Sequence, residues 1–186
     1  MHISDPHIFV NGHRFRRYLS TDDLRQAVCR LAGQISSDYA SKTPLLCPVL
    51  TGSFVFAADL SRALSVEHEI SFVRYNSYEG MQSSGSVVEK LPFDPECSGR
   101  HIIIVEDIVE SGLSISAMLP RLADLHPASV AICSLFYKPN KFKGTFKLDY
   151  VGFSIPDEFI IGYGLDYDGI ARSYDEVFVL DAQEET

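Results

Sequence analysis

The segment from His101 to Ser116 constrains the fold of this chain more than any other stretch. It opens with a β-branched run, Ile102 to Val105, which is the pattern of a strand buried on both faces of a parallel sheet. Two adjacent carboxylates, Glu106 and Asp107, follow the run, and a third acid stands at Glu110. Buried strands carry acids only where something pairs with them. The segment therefore predicts a strand that ends at a binding site.

A turn of small residues follows the acids and leads into a predicted helix. The turn is Ser111-Gly112-Leu113-Ser114, and apolar residues recur at helical spacing from Ile115 to Leu122. Free N–H groups and the positive end of the helix dipole suit a phosphate there, although a simple helix cap is the alternative. The neighbouring acids favour a ligand site, because open α/β sheets bind ligands at the carboxyl ends of their strands.

The composition of the chain excludes several classes of protein. Its 186 residues, 46% of them hydrophobic, predict a single domain over residues 1–186. The net charge of −9 argues against nucleic acid as a partner, which would need a basic face. No apolar run reaches the ~18–20 residues of a membrane span, and no signal-peptide core is present. The cysteines are widely spaced and three of the four lie among apolar residues, which predicts buried free thiols in a cytoplasmic protein rather than disulfides or zinc ligands: Cys29, Cys47, Cys97 and Cys133.

Predicted strands and helices alternate along the chain. Helices are expected from Thr21 to Ala40 and from Phe54 to Leu64, the second with Phe54, Ala57, Ala58 and Leu60 facing inward. This alternation predicts an α/β fold with a mostly parallel twisted sheet flanked by helices. Residues 1–20 form either a hood over a site or simple packing. Strands are expected at residues 45–50, 70–75, 87–91, 102–105, 129–137, 150–153, 159–163 and 177–180.

Three further stretches are candidates for binding. Thr51-Gly52-Ser53 forms a second turn between a strand and a helix, where an oxyanion can bind. The polar, glycine-rich stretch 76–86 is either a surface hairpin or an active-site lid. Lys138 follows an apolar strand directly, so it is either a ligand-binding cation or a solvated strand end.

Four segments carry a resemblance to a known family. The segment from Val105 to Ser114, which reads VEDIVESGLS, resembles the phosphoribosyl-pyrophosphate motif of type I phosphoribosyltransferases. Three others are Leu50 to Leu60, the pair Ser77-Tyr78, and Asp149 to Tyr167. In this order they resemble the 6-oxopurine branch, the hypoxanthine-guanine phosphoribosyltransferases. The resemblance extends from about residue 45 to residue 180. It implies the type I phosphoribosyltransferase fold with a small hood formed by the N-terminal and C-terminal segments.

The resemblance implies a reaction in which a purine base and phosphoribosyl pyrophosphate give a nucleoside 5′-monophosphate and pyrophosphate. It implies that Glu106 and Asp107 hold the ribose hydroxyls, partly through Mg²⁺. The 5′-phosphate would bind to residues 110–114, which include Ser111, Gly112, Leu113 and Ser114. The pyrophosphate would contact Thr51, Gly52 and Arg172, and Ser77 and Tyr78 would lie on a lid that excludes water.

The resemblance assigns the purine to Lys138, Phe159, Ile160 and Asp166. Lys138 would donate to the 6-oxo group, Phe159 would stack on the ring, and Ile160 would contact it through the backbone. Asp166 would also bind a Mg²⁺ carried by the pyrophosphate. Without the resemblance, Phe159 and Ile160 would be assigned to the core and Asp166 to a turn cap.

Two positions depart from the pattern of the family. Glu110 stands where the family usually has Asp, the residue that exchanges a proton with purine N7, and we expect glutamate to keep this role. Thr51 stands where many members have Lys, but the position acts largely through its backbone. Two alternatives to the salvage enzyme are a non-catalytic phosphoribosyl-pyrophosphate-binding regulator and a xanthine-preferring transferase. The family suggests a homodimer or a homotetramer.

Overall fold

A parallel sheet lies at the centre of the molecule in a computed structural model that describes residues 5–77 and 87–181. A short 3₁₀ helix, Pro95–Cys97, precedes the longest strands of that sheet. In chain order the other elements are β1 (His7–Val10), β2 (His13–Leu19), α1 (Thr21–Asp38), β3 (Leu45–Pro48), α2 (Phe54–Ala63), β4 (Glu69–Ile70), β5 (Arg74–Ser77), β6 (Val87–Leu91), β7 (His101–Val109), α3 (Leu113–Ala123), β8 (Ser129–Tyr137), β9 (Tyr150–Ser154), β10 (Ile160–Ile161) and β11 (Val177–Leu180).

The central sheet has five strands in the order β4-β3-β7-β8-β9, and every neighbouring pair is parallel. The predicted α/β fold with a parallel sheet is therefore confirmed. Strands β7 and β8 pair from His101 opposite Ser129 to Val109 opposite Tyr137, so both end at the same edge of the sheet. The residues that follow these strands, Glu110 and Lys138, consequently emerge side by side.

Helices cover both faces of this sheet because β7 alternates its apolar side chains between two core clusters. Ile103 and Val105 belong to the cluster that contains α1 and α2, whereas Ile102 and Ile104 belong to the cluster that contains α3. Ser20 caps α1 in a capping box with Asp23. Each face of the sheet is thus sealed, and the strand ends at its carboxyl edge remain available.

A second sheet joins the two ends of the described chain. Its four strands are antiparallel, in the order β1-β2-β11-β10. A separate small core includes Phe15, Ile161 and Phe178. The N-terminal and C-terminal segments, in which the hood was predicted, therefore form one layer, and this layer carries Phe159 at the start of β10.

Three local predictions are wrong. In α2 the buried face is Phe56, Ala57 and Leu60, whereas Phe54 and Ala58 are exposed, because the helix turns a different side toward the sheet. The strand expected at 70–75 is two strands, with β4 in the central sheet and β5 paired to β6 in a hairpin. The strand expected at 159–163 is only two residues long, because the backbone adopts positive φ from residue 162 to residue 164.

The cysteines are free thiols, as the sequence predicts. Cys47, Cys97 and Cys133 are buried, and Cys29 is exposed on α1. None of the helices within residues 5–77 and 87–181 has the length and apolar character that crossing a bilayer requires.

Candidate active site

One acidic and one basic side chain meet where β7 and β8 end. The backbone N–H of Lys138 donates to the Val109 carbonyl oxygen over 2.9 Å, which extends the pairing of the two strands by one residue. The Lys138 ammonium then contacts the Glu110 carboxylate. Lys138 is only 3% exposed, so the alternative of a solvated strand end is wrong. A buried lysine at the edge where ligands bind is placed to donate to a ligand.

Two residues that sequence reasoning missed complete this charged cluster. Lys141 Nζ lies 2.7 Å from Asp157 Oδ1 and 3.6 Å from Glu110 Oε2. Lys138 Nζ lies 3.6 Å from the same Asp157 oxygen. The hydrogen bond from Lys141 holds the pKa of Asp157 below its usual value. A basic side chain three residues after Lys138 was the only sequence signal for this arrangement.

Glu106 and Asp107 form a second acidic group near the end of β7. Glu106 is buried and Asp107 is partly buried. Burial raises the pKa of both carboxyl groups, and the proximity of Asp107 raises that of Glu106 further. Asp107 Oδ1 accepts a hydrogen bond from the Ile108 N–H over 2.9 Å. Two adjacent carboxylates held this way carry a cost that a bound cation or hydroxyl groups would reduce.

The Thr51-Gly52 turn lies directly against these acids. A Cβ atom at Gly52 would overlap the carboxylate of Asp107, so no larger residue fits without a shift. The carbonyl of Gly52 in turn lies against Gly164, whose φ is +101°. The turn after β3 is thus packed between the acids of β7 and the loop that follows β10.

A polar cavity of about 390 Å³ lies at this junction. Its lining combines residues from four parts of the chain. Of the residues predicted to bind phosphoribosyl pyrophosphate or metal, the cavity brings together Thr51, Gly52, Glu106, Asp107, Ser114, Asp166 and Arg172.

The turn Ser111-Gly112-Leu113-Ser114 begins α3 at the edge of the cavity. Gly112 is the N-cap residue with φ +79°. A Cβ atom at this position would overlap the ring of Phe142. Gly112 has no side chain with which to cap this helix, and the N–H of Leu113 makes only a long hydrogen bond of 3.4 Å to the Ser111 hydroxyl. The start of α3 is therefore weakly capped, which suits the binding of a phosphate there.

Asp166 and Arg172 are tied to each other within one loop. Arg172 Nη2 lies 2.5 Å from Asp166 Oδ1, and Arg172 Nη1 donates to the Gly164 carbonyl over 2.7 Å. Asp166 Oδ2 also accepts the Gly169 N–H over 2.7 Å. The turn-cap role of Asp166 is therefore present, and its predicted role toward metal stays a prediction.

Phe159 and Ile160 face different surroundings. Phe159 is 45% exposed, and its ring lies 5.4 Å from the Tyr167 ring in an edge arrangement and 6.3 Å from the Phe15 ring. Ile160 is buried in the core, as expected for a core residue. Phe159 is thus an exposed aromatic face held by two other rings, and the predicted backbone contact of Ile160 with the purine stays a prediction.

The predicted lid lies at the limit of the described structure. Ser77 is the last residue of β5 and Tyr78 lies outside the described residues. Of this hairpin, Tyr75 reaches the polar cavity. The Tyr75 hydroxyl also donates to the Glu89 carboxylate on β6 and so links the two strands of this hairpin.

The fold agrees with what the chain matches among known proteins. The model of the phosphoribosyl transferase domain family matches residues 17–168. The chain belongs to this family. A hypoxanthine phosphoribosyltransferase of Buchnera aphidicola subsp. Schizaphis graminum is 40% identical over 165 residues, which are 87% of this chain and 92% of that protein.

Other members of the family match over similar lengths. A hypoxanthine-guanine phosphoribosyltransferase of Mycobacterium bovis is 36% identical over 170 residues, which are 88% of this chain and 84% of that protein. The crystal structure of a hypoxanthine-guanine phosphoribosyltransferase from Bacillus anthracis superposes with a TM-score of 0.84 at 34% identity. The superposition covers 89% of this chain and 98% of the Bacillus anthracis chain. The resemblance found in the motifs therefore extends over most of the fold.

Proposed function

We propose that this chain is a purine salvage enzyme that transfers the 5-phosphoribosyl group from phosphoribosyl pyrophosphate to hypoxanthine or guanine. The bond between ribose C1 and the pyrophosphate oxygen breaks, and a bond from C1 to a purine ring nitrogen forms. The products are inosine or guanosine 5′-monophosphate and pyrophosphate. Family membership and the names of the relatives support this proposal.

The contact between Lys138 and Glu110 is the observation that most favours a 6-oxopurine as the base. A buried ammonium donates hydrogen bonds and accepts none, so it suits the 6-oxo oxygen of hypoxanthine or guanine. The 6-amino group of adenine would set a donor against a donor and leave the buried ammonium unpaired, which is costly. Glu110, on the other side of this contact, supplies an oxygen for a proton on the purine.

The polar cavity suits the sugar and its phosphates. In the proposal Glu106 and Asp107 hold the two ribose hydroxyls, and the turn from Ser111 to Ser114 binds the 5′-phosphate at the start of α3. The Thr51-Gly52 turn and Arg172 contact the pyrophosphate. Support comes from the shared cavity, which these residues line together with Asp166.

The donor set at this cavity fits Mg²⁺. Magnesium binds to one or two carboxylates and takes its other ligands from water and substrate phosphates, and Glu106 and Asp107 form such a pair. Within the described residues, no group of three or more His, Cys, Asp or Glu side chains converges as a metal site. In the proposal Glu106 and Asp107 would hold Mg²⁺ together with ribose oxygens, and Asp166 would bind a Mg²⁺ carried by the pyrophosphate. When bound, Mg²⁺ supplies positive charge to the departing pyrophosphate.

The remaining roles concern the purine and the proton. Phe159 stacks on the base through its exposed face, and Ile160 contacts the base through its backbone. Glu110 holds or accepts the proton at purine N7 as the new bond forms. Glutamate is one methylene longer than aspartate, and the contact with Lys138 orients it. Ser77 and Tyr78 would lie on the lid that closes over the substrates and excludes water.

The proposal includes an assembly and a location. We propose a homodimer or a homotetramer in the cytoplasm, with small molecules as the substrates and neither nucleic acid nor a membrane as a partner. The net charge of −9 argues against nucleic acid as a partner, because nucleic acid binds to strongly basic surfaces.

Steady-state turnover of the purified chain tests this function. Phosphoribosyl pyrophosphate, Mg²⁺ and one of hypoxanthine, guanine, xanthine or adenine are supplied, and the nucleotide and the pyrophosphate are quantified. We expect turnover at or above about 1 s⁻¹ with hypoxanthine or guanine and none with adenine. Preference for xanthine would identify the related transferase. Binding of the sugar pyrophosphate without product from any base would instead indicate the non-catalytic regulator.

A further inference from the structure

Lys141 completes a four-membered cluster in which two lysines face two carboxylates. Its Nζ lies 2.7 Å from Asp157 Oδ1 and 3.6 Å from Glu110 Oε2. Lys138 contacts Glu110 and lies 3.6 Å from the same Asp157 oxygen. Each carboxylate is therefore shared between a buried lysine and a partly exposed one. The cluster joins the end of β7 to the loops that follow β8 and β9.

The distances within the cluster show which lysine holds Asp157. At 2.7 Å the contact of Asp157 with Lys141 is a hydrogen bond, whereas at 3.6 Å the contact with Lys138 is too long for one. Lys138 therefore uses one donor on Glu110 and keeps the others. An ammonium group has three N–H donors. Because Lys141 occupies Asp157, Lys138 retains two donors for a ligand instead of one.

The charges lead to the same conclusion. If Lys141 were neutral, the buried Lys138 would face both Glu110 and Asp157, and Asp157 would be free to move toward it. Two of the three ammonium donors would then be committed to protein carboxylates, and Glu110 would lose one of the two cations that fix its oxygens. With Lys141 present, the two positive and two negative charges balance.

We propose that Lys141 is a positioning residue for the purine: it holds Asp157 and one oxygen of Glu110, so that two of the three Lys138 donors stay free and Glu110 keeps its orientation. The inference rests on the function proposed above, and it assigns a role to a residue outside the polar cavity. Lys141 acts through Lys138 and Glu110 and touches neither sugar nor pyrophosphate in this account.

A purely structural ion pair is the competing explanation, and it predicts a different result. The side chains of Lys141 and Asp157 are 42% and 48% exposed, and exposed pairs contribute little to stability. A structural pair would alter the melting temperature or the yield, and it would affect both substrates equally. A positioning residue would change the kinetics toward the base alone.

The test compares Lys141→Gln with Lys147→Gln, a matched control. Lys147 lies in the same stretch and pairs with Asp149 over 3.6 Å, but it is 83% exposed and lies outside the cluster. For Lys141→Gln we expect the KM for hypoxanthine to rise about fivefold, the scale of one lost ion-pair contact. The KM for phosphoribosyl pyrophosphate should stay within about twofold of wild type. Lys141→Arg, which keeps a cation, should restore the KM for hypoxanthine, and Lys147→Gln should match wild type.

A double substitution makes the test independent of a general loss of structure. If Lys141 acts by holding Asp157, Lys141→Gln combined with Asp157→Asn should cost less than the product of the two single effects on kcat/KM. Equal changes toward both substrates, or an unchanged KM for hypoxanthine in Lys141→Gln, would overturn the inference. In either case an active wild-type enzyme would leave the proposed function standing, whereas an inactive one would refute that function first.

Discussion

Arg172 Nη2 lies 2.5 Å from Asp166 Oδ1, while Nη1 of the same guanidinium donates to the Gly164 carbonyl over 2.7 Å. One side chain thus closes the loop from residue 164 to residue 172 across its base. Gly164 lies in turn against the carbonyl of Gly52. Arg172 therefore couples the loop after β10 to the turn after β3, and both line the polar cavity.

Arg172→Lys tests this coupling. A lysine cannot reach Asp166 and Gly164 together with the planar fork of a guanidinium. We expect kcat/KM for phosphoribosyl pyrophosphate to fall about tenfold or more, with a much smaller change in the KM for hypoxanthine. Arg25→Lys, in an exposed pair with Asp22, is the control and should behave as wild type. Equal losses toward both substrates would contradict a role confined to the sugar pyrophosphate.

Substitutions of Glu110 test the proposed transfer of the proton at purine N7. In Glu110→Gln the side chain keeps its size but cannot exchange a proton, so we expect kcat to fall about 100-fold or more. Glu110→Asp keeps the carboxylate and shortens its reach, and its loss should be smaller. Single-turnover measurement of nucleotide formation separates this step from product release. If neither substitution changed the rate, Glu110 would not be the acid or base.

Glu106→Gln tests the electrostatics of the acidic pair formed by Glu106 and Asp107. Burial raises its folded-state pKa above the unfolded value. Such a group contributes stability while it is protonated, and this contribution is lost as the pH rises through the folded-state pKa. Glu106→Gln stays neutral at every pH. Without Mg²⁺ and substrate, we expect its melting temperature to exceed that of wild type by about 3 °C at pH 8.

The difference between Glu106→Gln and wild type should shrink toward pH 5, where more of the wild-type carboxyl is protonated. Glu67→Gln, at an exposed site, is the control and should melt as wild type does at both values of pH. A melting temperature of Glu106→Gln below that of wild type at pH 8 would show that the ionised carboxylate stabilises the free protein. The same variant should lose activity, because Glu106 is proposed to hold a ribose hydroxyl.

Gly52→Ala tests the close approach of the turn to Asp107. The added Cβ would overlap the Asp107 carboxylate, so either the turn or the acid must move. We expect a loss of about 100-fold in kcat/KM, since a displacement of about 1 Å at a demanding site costs this much. Gly33→Ala is the control, because the position lies in α1 with no atom near the added Cβ. Wild-type activity in Gly52→Ala would show that the turn does not shape the site.

Much of the fold follows from the sequence because strands and helices carry periodic patterns. The run from Ile102 to Val105 predicts a central strand, and the parallel pairing of β7 with β8 brings Glu110 beside Lys138 without any further information. The strand itself extends to Val109, past the two acids, because the ladder with β8 continues there. The predicted strand ended too early, at Val105, because two acids follow this residue in the sequence.

The parts of the site that lie on irregular loops were not predicted. Lys141 and Asp157 belong to loops whose paths are set by turns and contacts rather than by periodicity, so their meeting with Glu110 has no local signal. The contact between Gly52 and Asp107 likewise joins residues far apart in the chain. The exposure of Phe54 shows the same limit, since a ten-residue helix with apolar residues on several sides permits more than one buried face.

The most direct test of the central claim compares hypoxanthine with adenine in the wild-type enzyme and in Lys138→Met. Lys147→Met is the control for loss of a lysine. If the buried ammonium selects the 6-oxo group, wild type and control should prefer hypoxanthine by about 10⁴-fold in kcat/KM, the scale for a hydrogen bond that a rejected analogue leaves unpaired. In Lys138→Met this preference should fall by about 100-fold or more. An unchanged preference in Lys138→Met would contradict the account, because the base would then be recognised elsewhere.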